Sequence, residues 1–214
     1  MSLKEELAHS LQALDLPVTE ARQEQLLAYL ALLGKWNKVY NLTAVRDPEA
    51  MLRLHLVDSL AALPPLLRHT QGQPTRLMDV GSGGGLPGIA FAIAAAESLE
   101  VCCVDTVEKK ARFMAQVGAE LGLHNLRAEH SRVEQLQLPP FPVITSRAFA
   151  SLLDFVTLTR ALLAPGGVWM ALKGQHPADE IAALPPDVEV FHVEQLSVPG
   201  LDAQRCIVWM RLKP

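Results

Sequence analysis

Cysteine is scarce in this chain of 214 residues, which has three. Cys102 and Cys103 are adjacent and Cys206 is remote, a spacing that gives neither a disulfide framework nor a C-x-x-C zinc site. They read as small buried hydrophobes. Charge of one sign is also lacking. A formal net charge of −4 excludes a global basic field, so any nucleic-acid surface must be local. Long hydrophobic runs are missing too. The longest, Leu86 to Ala96, is interrupted by Pro87 and Gly88 and falls well short of the ~18 residues a membrane span needs. The opening "MSLKEELAHS" is charged and has no apolar h-region, which predicts no secretory leader. No membrane partner is expected, and the chain reads as cytoplasmic.

Half of the residues are hydrophobic and a fifth are charged, an ordinary globular balance. The length suits one large domain, or one with an appended piece. Residues 1–70 read as helical. Ser2-Leu3-Lys4-Glu5 has the form of a capping box, followed by Leu3, Leu7, Leu11 and Leu14 at helical spacing. After Leu16-Pro17, a second helix carries Leu26, Leu30 and Leu33 on one face and is expected to end near Trp36. "NKVYNLTAV" reads as a loop. Asp47-Pro48 then opens a third helix, with Asp47 as N-cap, which Pro64-Pro65 should stop.

From Arg76 the pattern changes. Strands are expected at 76–80, 100–105, 125–129, 142–146, 167–172, 188–195 and 205–212, and helices at 88–97, 107–121, 151–163 and 177–183. Repeated β-α units imply an α/β fold, a parallel sheet covered on both faces. The last two strands lack a helix between them, so they should close the sheet as an antiparallel hairpin. The expected organisation is a helical extension over 1–70 and a ligand-binding core over 71–214, in one compact unit.

"RLMDVGSGGGLPG" joins the first strand to its helix and sets five glycines (Gly81, Gly83, Gly84, Gly85, Gly88) within eight positions. Ligands in such sheets bind at the carboxyl ends of the strands, and glycines there permit positive φ and close backbone approach. Gly83 to Gly88 literally satisfies G-x-G-x-x-G, which suggests a dinucleotide pyrophosphate on a helix N-terminus. Asp79 argues otherwise. An acid just before the loop repels a pyrophosphate but attracts the cationic end of S-adenosylmethionine (SAM), a sulfonium donor. Asp105 ends the second strand, about 20 residues further on, where an acid bonds ribose hydroxyls. Both ligands carry that ribose, so Asp105 supports a nucleoside without choosing between them. It also suits a helix cap.

The arrangement apolar-apolar-Asp-apolar-Gly-x-Gly-x-Gly resembles motif I of the class I SAM-dependent methyltransferases. Further stretches narrow the resemblance: "WNKVYNLTAV" and "HLVDSL" before the loop, then "SRVEQL", "ITSRAFASL" and "PGGVWMALKG" after it. Over about residues 26–213 the chain is similar to the ribosomal small-subunit methyltransferase G family, also called glucose-inhibited division protein B. The resemblance implies a Rossmann-like class I methyltransferase with a mostly parallel seven-stranded sheet. It also implies SAM as cofactor and a guanine N7 of bacterial 16S rRNA, free or in the small ribosomal subunit, as methyl acceptor. By matching motif it places Gly81 and Leu86 at SAM, with Val133 and Glu134 flanking the adenine and Arg147 at the tip of the fourth strand. With Asp79, Gly83, Gly85 and Asp105 these form the candidate cofactor set. No catalytic residue, no metal ligand and a monomeric state are expected.

Reaction chemistry agrees with that acceptor. Exocyclic-amine methylation in this superfamily usually involves a (D/N)-P-P-(Y/F)-like motif after the fourth strand, where this chain has Ser146-Arg147-Ala148-Phe149. Cytosine C5 methylation needs a nucleophilic cysteine, and no cysteine is expected in a loop at a strand's carboxyl end. Guanine N7 has an exposed lone pair and no proton to remove, so positioning suffices. Arg147 could instead orient guanine or form an ion pair. Lys173 could meet an RNA phosphate or remain solvated. His55, Asp58 and Ser59 should share a helix face, on the substrate side or as a structural cluster.

Residues 35–70 are net +2 (Lys35, Lys38, Arg46, Arg53 and Arg68 against Asp47, Glu49 and Asp58), whereas residues 1–34 are net −3. Tyr40 or Trp36 could stack a base, Trp36 reading more naturally as core. The rival readings are a methyltransferase for another RNA or a small molecule, a non-catalytic nucleoside-binding module of ribosome assembly, and an NAD-type oxidoreductase.

Overall fold

The computed structural model describes residues 1–147, 149 and 151–214. A seven-stranded sheet runs in the order β3-β2-β1-β4-β5-β7-β6. Its strands are β1 (Thr75–Val80), β2 (Leu99–Asp105), β3 (Leu126–His130), β4 (Phe141–Ser146), β5 (Leu163–Lys173), β6 (Val188–Leu196) and β7 (Arg205–Leu212). The first five pair in parallel, and β7 lies antiparallel between β5 and β6. The expected parallel sheet with a closing hairpin is present. Chain order reverses between β1 and β4, which makes their carboxyl ends the switch point where ligands of such sheets bind.

Burial on both faces explains the apolar strands. Leu77 of β1 points into the cluster that holds Ile89 and Phe91 of α6 (Gly88–Ala94). Its neighbours Met78 and Val80 point into the opposite cluster, with Phe155 and Val156 of α8 (Leu152–Thr159). This period of two is the pleat of a strand covered on both sides. Helices α7 (Glu108–Glu120) and α9 (Ala178–Ala182) complete the layers.

The N-terminal helices are α1 (Leu3–Ala13), α2 (Glu20–Tyr40), α3 (Pro48–Met51), α4 (Asp58–Leu60) and α5 (Leu63–Thr70). The capping box forms, with the Glu5 N–H donating to Ser2 Oγ and the Ser2 N–H to Glu5 Oε2. Leu7, Leu11, Leu26, Leu30 and Leu33 enter the same hydrophobic cluster as α6. Residues 48–70 include an 18-residue window apolar enough by composition to span a membrane, yet 67% of that window is buried inside the protein.

Several boundaries differ from the sequence expectations, three of them with a visible physical cause. Helix α2 continues past Trp36 to Tyr40, where Asn41 closes it in the left-handed region (φ 49°). Buried Asn37 supports that extra turn by donating to the Val45 carbonyl and accepting from the Thr43 N–H. Pro64-Pro65 do not stop a helix. The break comes at Ala61-Ala62, and the prolines occupy the first turn of α5, where a missing N–H costs nothing. Strand β5 starts early, at Leu163, because an irregularity in its pairing with β4 absorbs residues 164–167.

The third helix also departs from regularity. Between α3 and α4 the backbone widens into a π-helical stretch, Leu52–Val57. Such bulges are frequent at functional sites.

Candidate functional site

The loop after β1 is stitched to the neighbouring strand. Gly81 and Ser82 both donate N–H groups to the Val104 carbonyl, at 2.8 and 3.2 Å. The Ser82 hydroxyl turns back to the Asp79 carbonyl at 2.7 Å. Gly81, Gly83 and Gly85 adopt φ of 70°, 61° and 89°. Gly85 needs glycine on a second ground, since a Cβ there would meet Ile89 Cδ1 at 2.3 Å. Leu86 is buried beneath the loop. From the opposite side Tyr29 of α2, completely buried, donates its hydroxyl to the Gly84 carbonyl at 2.6 Å. The N-terminal helices thus brace the loop directly.

Asp79 lies under this loop with no exposed surface. Its Oδ2 accepts the Gly88 N–H at 2.9 Å, which caps α6. Its Oδ1 has no hydrogen-bond partner among the described residues. Burial pushes its carboxyl pKa from 3.8 up to about 6, opposed by the Gly88 and Ser82 hydrogen bonds and by the charge of Arg147. A buried acceptor short of a donor suits a cationic ligand nearby and disfavours a pyrophosphate.

Asp105, at the tip of β2, is held by two backbone groups. The Gly83 N–H reaches Oδ2 and the Val107 N–H reaches Oδ1, both at 2.9 Å. Each oxygen keeps lone pairs free to accept further hydrogen bonds. The carboxylate borders a cavity of about 450 Å³ that Gly81, Lys110, Val133 and Glu134 also line. Val133 and Glu134 belong to a short 3₁₀ turn that follows β3. A larger hollow of about 920 Å³ lies at the amino ends of the strands, beside Thr75, Leu99 and Leu126. Ligands of such sheets bind at the carboxyl ends, so we place the chemistry at the smaller cavity.

A second cavity, about 380 Å³, opens across β4 on the same edge. His55, Asp58, Arg147, Lys173 and Arg205 border it. Asp58 Oδ1 accepts from Arg205 Nε at 2.8 Å, and Arg147 Nη1 stands 3.8 Å from Oδ2. His55 bonds Thr43 through Nε2, and burial, followed by the charge of Arg147, lowers its pKa below 6.5. Lys173 pairs with Glu180 at 2.8 Å. Cys206, the second residue of β7, pairs opposite Lys173 and borders this cavity, although within a strand and not in a loop at a strand's carboxyl end. The residue is fully buried and its thiol pKa is raised by that burial, which suppresses the thiolate a nucleophile needs.

The chain matches the family model described as rRNA small subunit methyltransferase G (GidB) over residues 22–208. It belongs to that family. A ribosomal RNA small subunit methyltransferase G from Methylibium petroleiphilum is 60% identical over 212 residues, covering 99% of this chain and 96% of the relative. One from Leptothrix cholodnii is 62% identical over 200 residues, covering 94% and 91%. Among solved structures, a SAM-dependent methyltransferase from Aquifex aeolicus superposes with a TM-score of 0.57 at 17% identity, over 78% of this chain and 94% of that one. The glycopeptide N-methyltransferase MtfA, solved with SAM, gives 0.56 at 11% identity, over 73% and 94%. The last two likenesses establish the fold. As a methyltransferase G family member the chain is an enzyme, and SAM is its cofactor.

The residues present fit that cofactor. Asp105 would offer carboxylate lone pairs to ribose hydroxyls and Val133 an apolar wall, while Asp79, fully buried beneath the loop and outside that cavity's lining, would act through its charge rather than by contact. Of the candidate cofactor set, the structure brings Gly81, Asp105, Val133 and Glu134 together around one cavity. Gly83, Gly85 and Leu86 shape the loop above Asp79. Arg147 stands apart, on the second cavity. Tyr29 and Arg205 escaped the sequence reading. Tyr29 sits within the apolar stripe of α2 and reads as core, and nothing local to Arg205 marks its partner 147 positions away.

Proposed function

We propose that this methyltransferase G family member transfers a methyl group to N7 of a guanine in 16S rRNA, in the bacterial cytoplasm and as a monomer. The observation that carries the reading is the pair of cavities on one sheet edge, flanking the β1–β4 switch point. One is bordered by the ribose-type acid Asp105, the other by the cations Arg147, Lys173 and Arg205. Bound SAM supplies an electrophilic methyl group. The chain's part is to hold donor and acceptor in line. N7 carries its lone pair unprotonated, so no side chain has to remove a proton, and orientation supplies most of the rate. Asp79, Gly81, Gly83, Gly85, Leu86, Asp105, Val133 and Glu134 serve the cofactor side. Arg147 borders the second cavity and serves the acceptor side there.

Residues 1–70 present the RNA to the core over 71–214, with which they share a hydrophobic cluster. Among the basic residues of 35–70, Arg53 is paired with Glu6 and Arg68 with Glu194. Lys35, Lys38 and Arg46 are exposed and make no ion pair among the described residues. Beside them Tyr40 is 41% exposed, while Trp36 packs on Phe113. Replacing Lys35, Lys38 and Arg46 by glutamine is expected to weaken rRNA binding and to reduce its log-log salt slope by about 2, at about 0.7 per phosphate contact. SAM affinity measured by calorimetry should not change. An unaltered salt slope would remove this surface from the account.

The direct test supplies labelled SAM and small ribosomal subunits from cells that lack this methyltransferase. Label is expected in 16S rRNA and absent from large-subunit RNA. No transfer to any ribosomal form would favour a non-catalytic role.

A further inference from the structure

The second cavity has features that positioning alone does not explain. The π-helical stretch Leu52–Val57 inserts an extra residue into a helical turn and so re-aims the side chains that follow it. His55 within the stretch and Asp58 directly after it both border the cavity. Ser59 belongs to the same expected face, yet it is fully buried and its Oγ has no partner among the described residues.

Asp58 is also asymmetric. Its side chain is 9% exposed, and Oδ1 is fixed by Arg205 Nε at 2.8 Å. Oδ2 faces Arg147 Nη1 at 3.8 Å, beyond hydrogen-bonding distance. A carboxylate oxygen without a hydrogen-bond donor among the described residues therefore stands in a cavity whose other polar groups are mainly donors, Arg147, Lys173 and Arg205. At about 380 Å³ that cavity falls within the range of small-molecule pockets.

Among the RNA bases, guanine matches that pattern best. Its Watson–Crick edge carries two adjacent donors, N1–H and the 2-amino group, beside the O6 acceptor. Adenine would present its N1 lone pair to the carboxylate and be repelled. Enzymes that act on a base commonly read this edge once the base is unstacked. Facing the Watson–Crick edge toward Asp58 leaves the imidazole edge, with N7, free to face β4 and the cofactor cavity.

We propose that Asp58 is the specificity-determining residue for the methylated base. Its Oδ2 accepts hydrogen bonds from guanine N1–H and the 2-amino group, and Arg205 acts as the positioning residue that fixes the carboxylate. This rests on the rRNA guanine reading and adds to it the group that selects guanine.

Inosine tests it, because it keeps N7, O6 and N1–H but lacks the 2-amino group. Small subunits are reconstituted with guanosine or inosine at the mapped position of 16S rRNA, introduced by splinted ligation. The wild-type enzyme is expected to prefer guanosine by about tenfold or more in kcat/KM, the discrimination given by one hydrogen bond to a charged acceptor. Asp58→Asn should lower transfer to guanosine by a similar factor and shrink the guanosine-to-inosine ratio to about threefold or less, with SAM affinity unchanged. A purely structural role would lower both acceptors equally and leave the ratio intact. Wild-type enzyme that treats the two acceptors alike overturns the assignment without recourse to any variant, as does an Asp58→Asn enzyme that keeps the full ratio. Absence of wild-type transfer to guanosine would instead overturn the rRNA reading itself.

Discussion

Gly88→Ala is expected to cost the protein about 3 kcal/mol or more in stability and to abolish activity. An alanine Cβ at this site would stand 2.4 Å from Cys103 Sγ and 2.8 Å from Asp79 Oδ2. Cys103 and Asp79 are both fully buried on adjacent paired strands, at register partners of β1 and β2. Neither side chain has a flexible far end that could yield, so the strain falls on the strands or on α6. Overpacking a well-filled core costs about 1–3 kcal/mol, and contacts this short belong at the upper end or beyond. With total stabilities of about 5–15 kcal/mol, such a loss is severe. Gly84→Ala is the internal control. Its Cβ would meet only the methyl groups of Leu33, the nearest at 3.0 Å, and should cost about 1 kcal/mol. Urea denaturation of the two variants checks the pair, and equal stabilities would contradict the packing.

Asp79→Asn is expected to move stability and ligand affinity in opposite directions. The carboxyl of Asp79 has its pKa pushed from 3.8 to about 6, chiefly by burial. Below pH 4 both folded and unfolded forms hold the proton and the acid carries no penalty. As pH rises from about 4 to about 6, the unfolded chain releases the proton while the folded one retains it. Stability therefore falls through that window and stays lower above it, by on the order of 3 kcal/mol. Asparagine cannot titrate, and its carbonyl still accepts from the Gly88 N–H. The ligand-free variant should be more stable than the wild type at pH 7, and the difference should vanish near pH 4. SAM affinity at pH 7 should fall about tenfold or more, because a buried negative charge that favours the cationic donor has been removed. Calorimetric unfolding at pH 4, 5.5 and 7, followed by SAM titration, measures both effects. A variant that is less stable than the wild type at pH 7, or binds SAM equally well, would contradict this role for Asp79.

What the sequence disclosed follows the range of the interactions involved. The strands and the glycine loop were legible because alternation and glycine density are local signals. Asp105 was legible because a β-α-β unit fixes the distance from its loop to the next strand tip. Helix α2 ran past its expected end because Asn37 bonds a loop several residues away, a contact that periodicity does not carry. Pro64-Pro65 were misplaced because proline suits a first turn as well as it breaks a last one. The second cavity was the least legible. Its Asp58–Arg205 pair spans 147 residues, and the π-helical stretch that aims Asp58 leaves no mark in an apolar pattern. Arg147 follows the same logic. The motif placed it at a strand tip, and only the packing of residues 54–58 against that tip showed which cavity it borders.

The most direct test of the account is chemical mapping of the methylated atom. Small subunits methylated by this enzyme are reduced with borohydride and treated with aniline, which cleaves RNA at 7-methylguanosine. The account predicts a single new, SAM-dependent cleavage in 16S rRNA, at a guanosine, lost in Asp105→Ala. Methyl label incorporated without aniline cleavage would place the methyl group on another atom and contradict the N7 assignment.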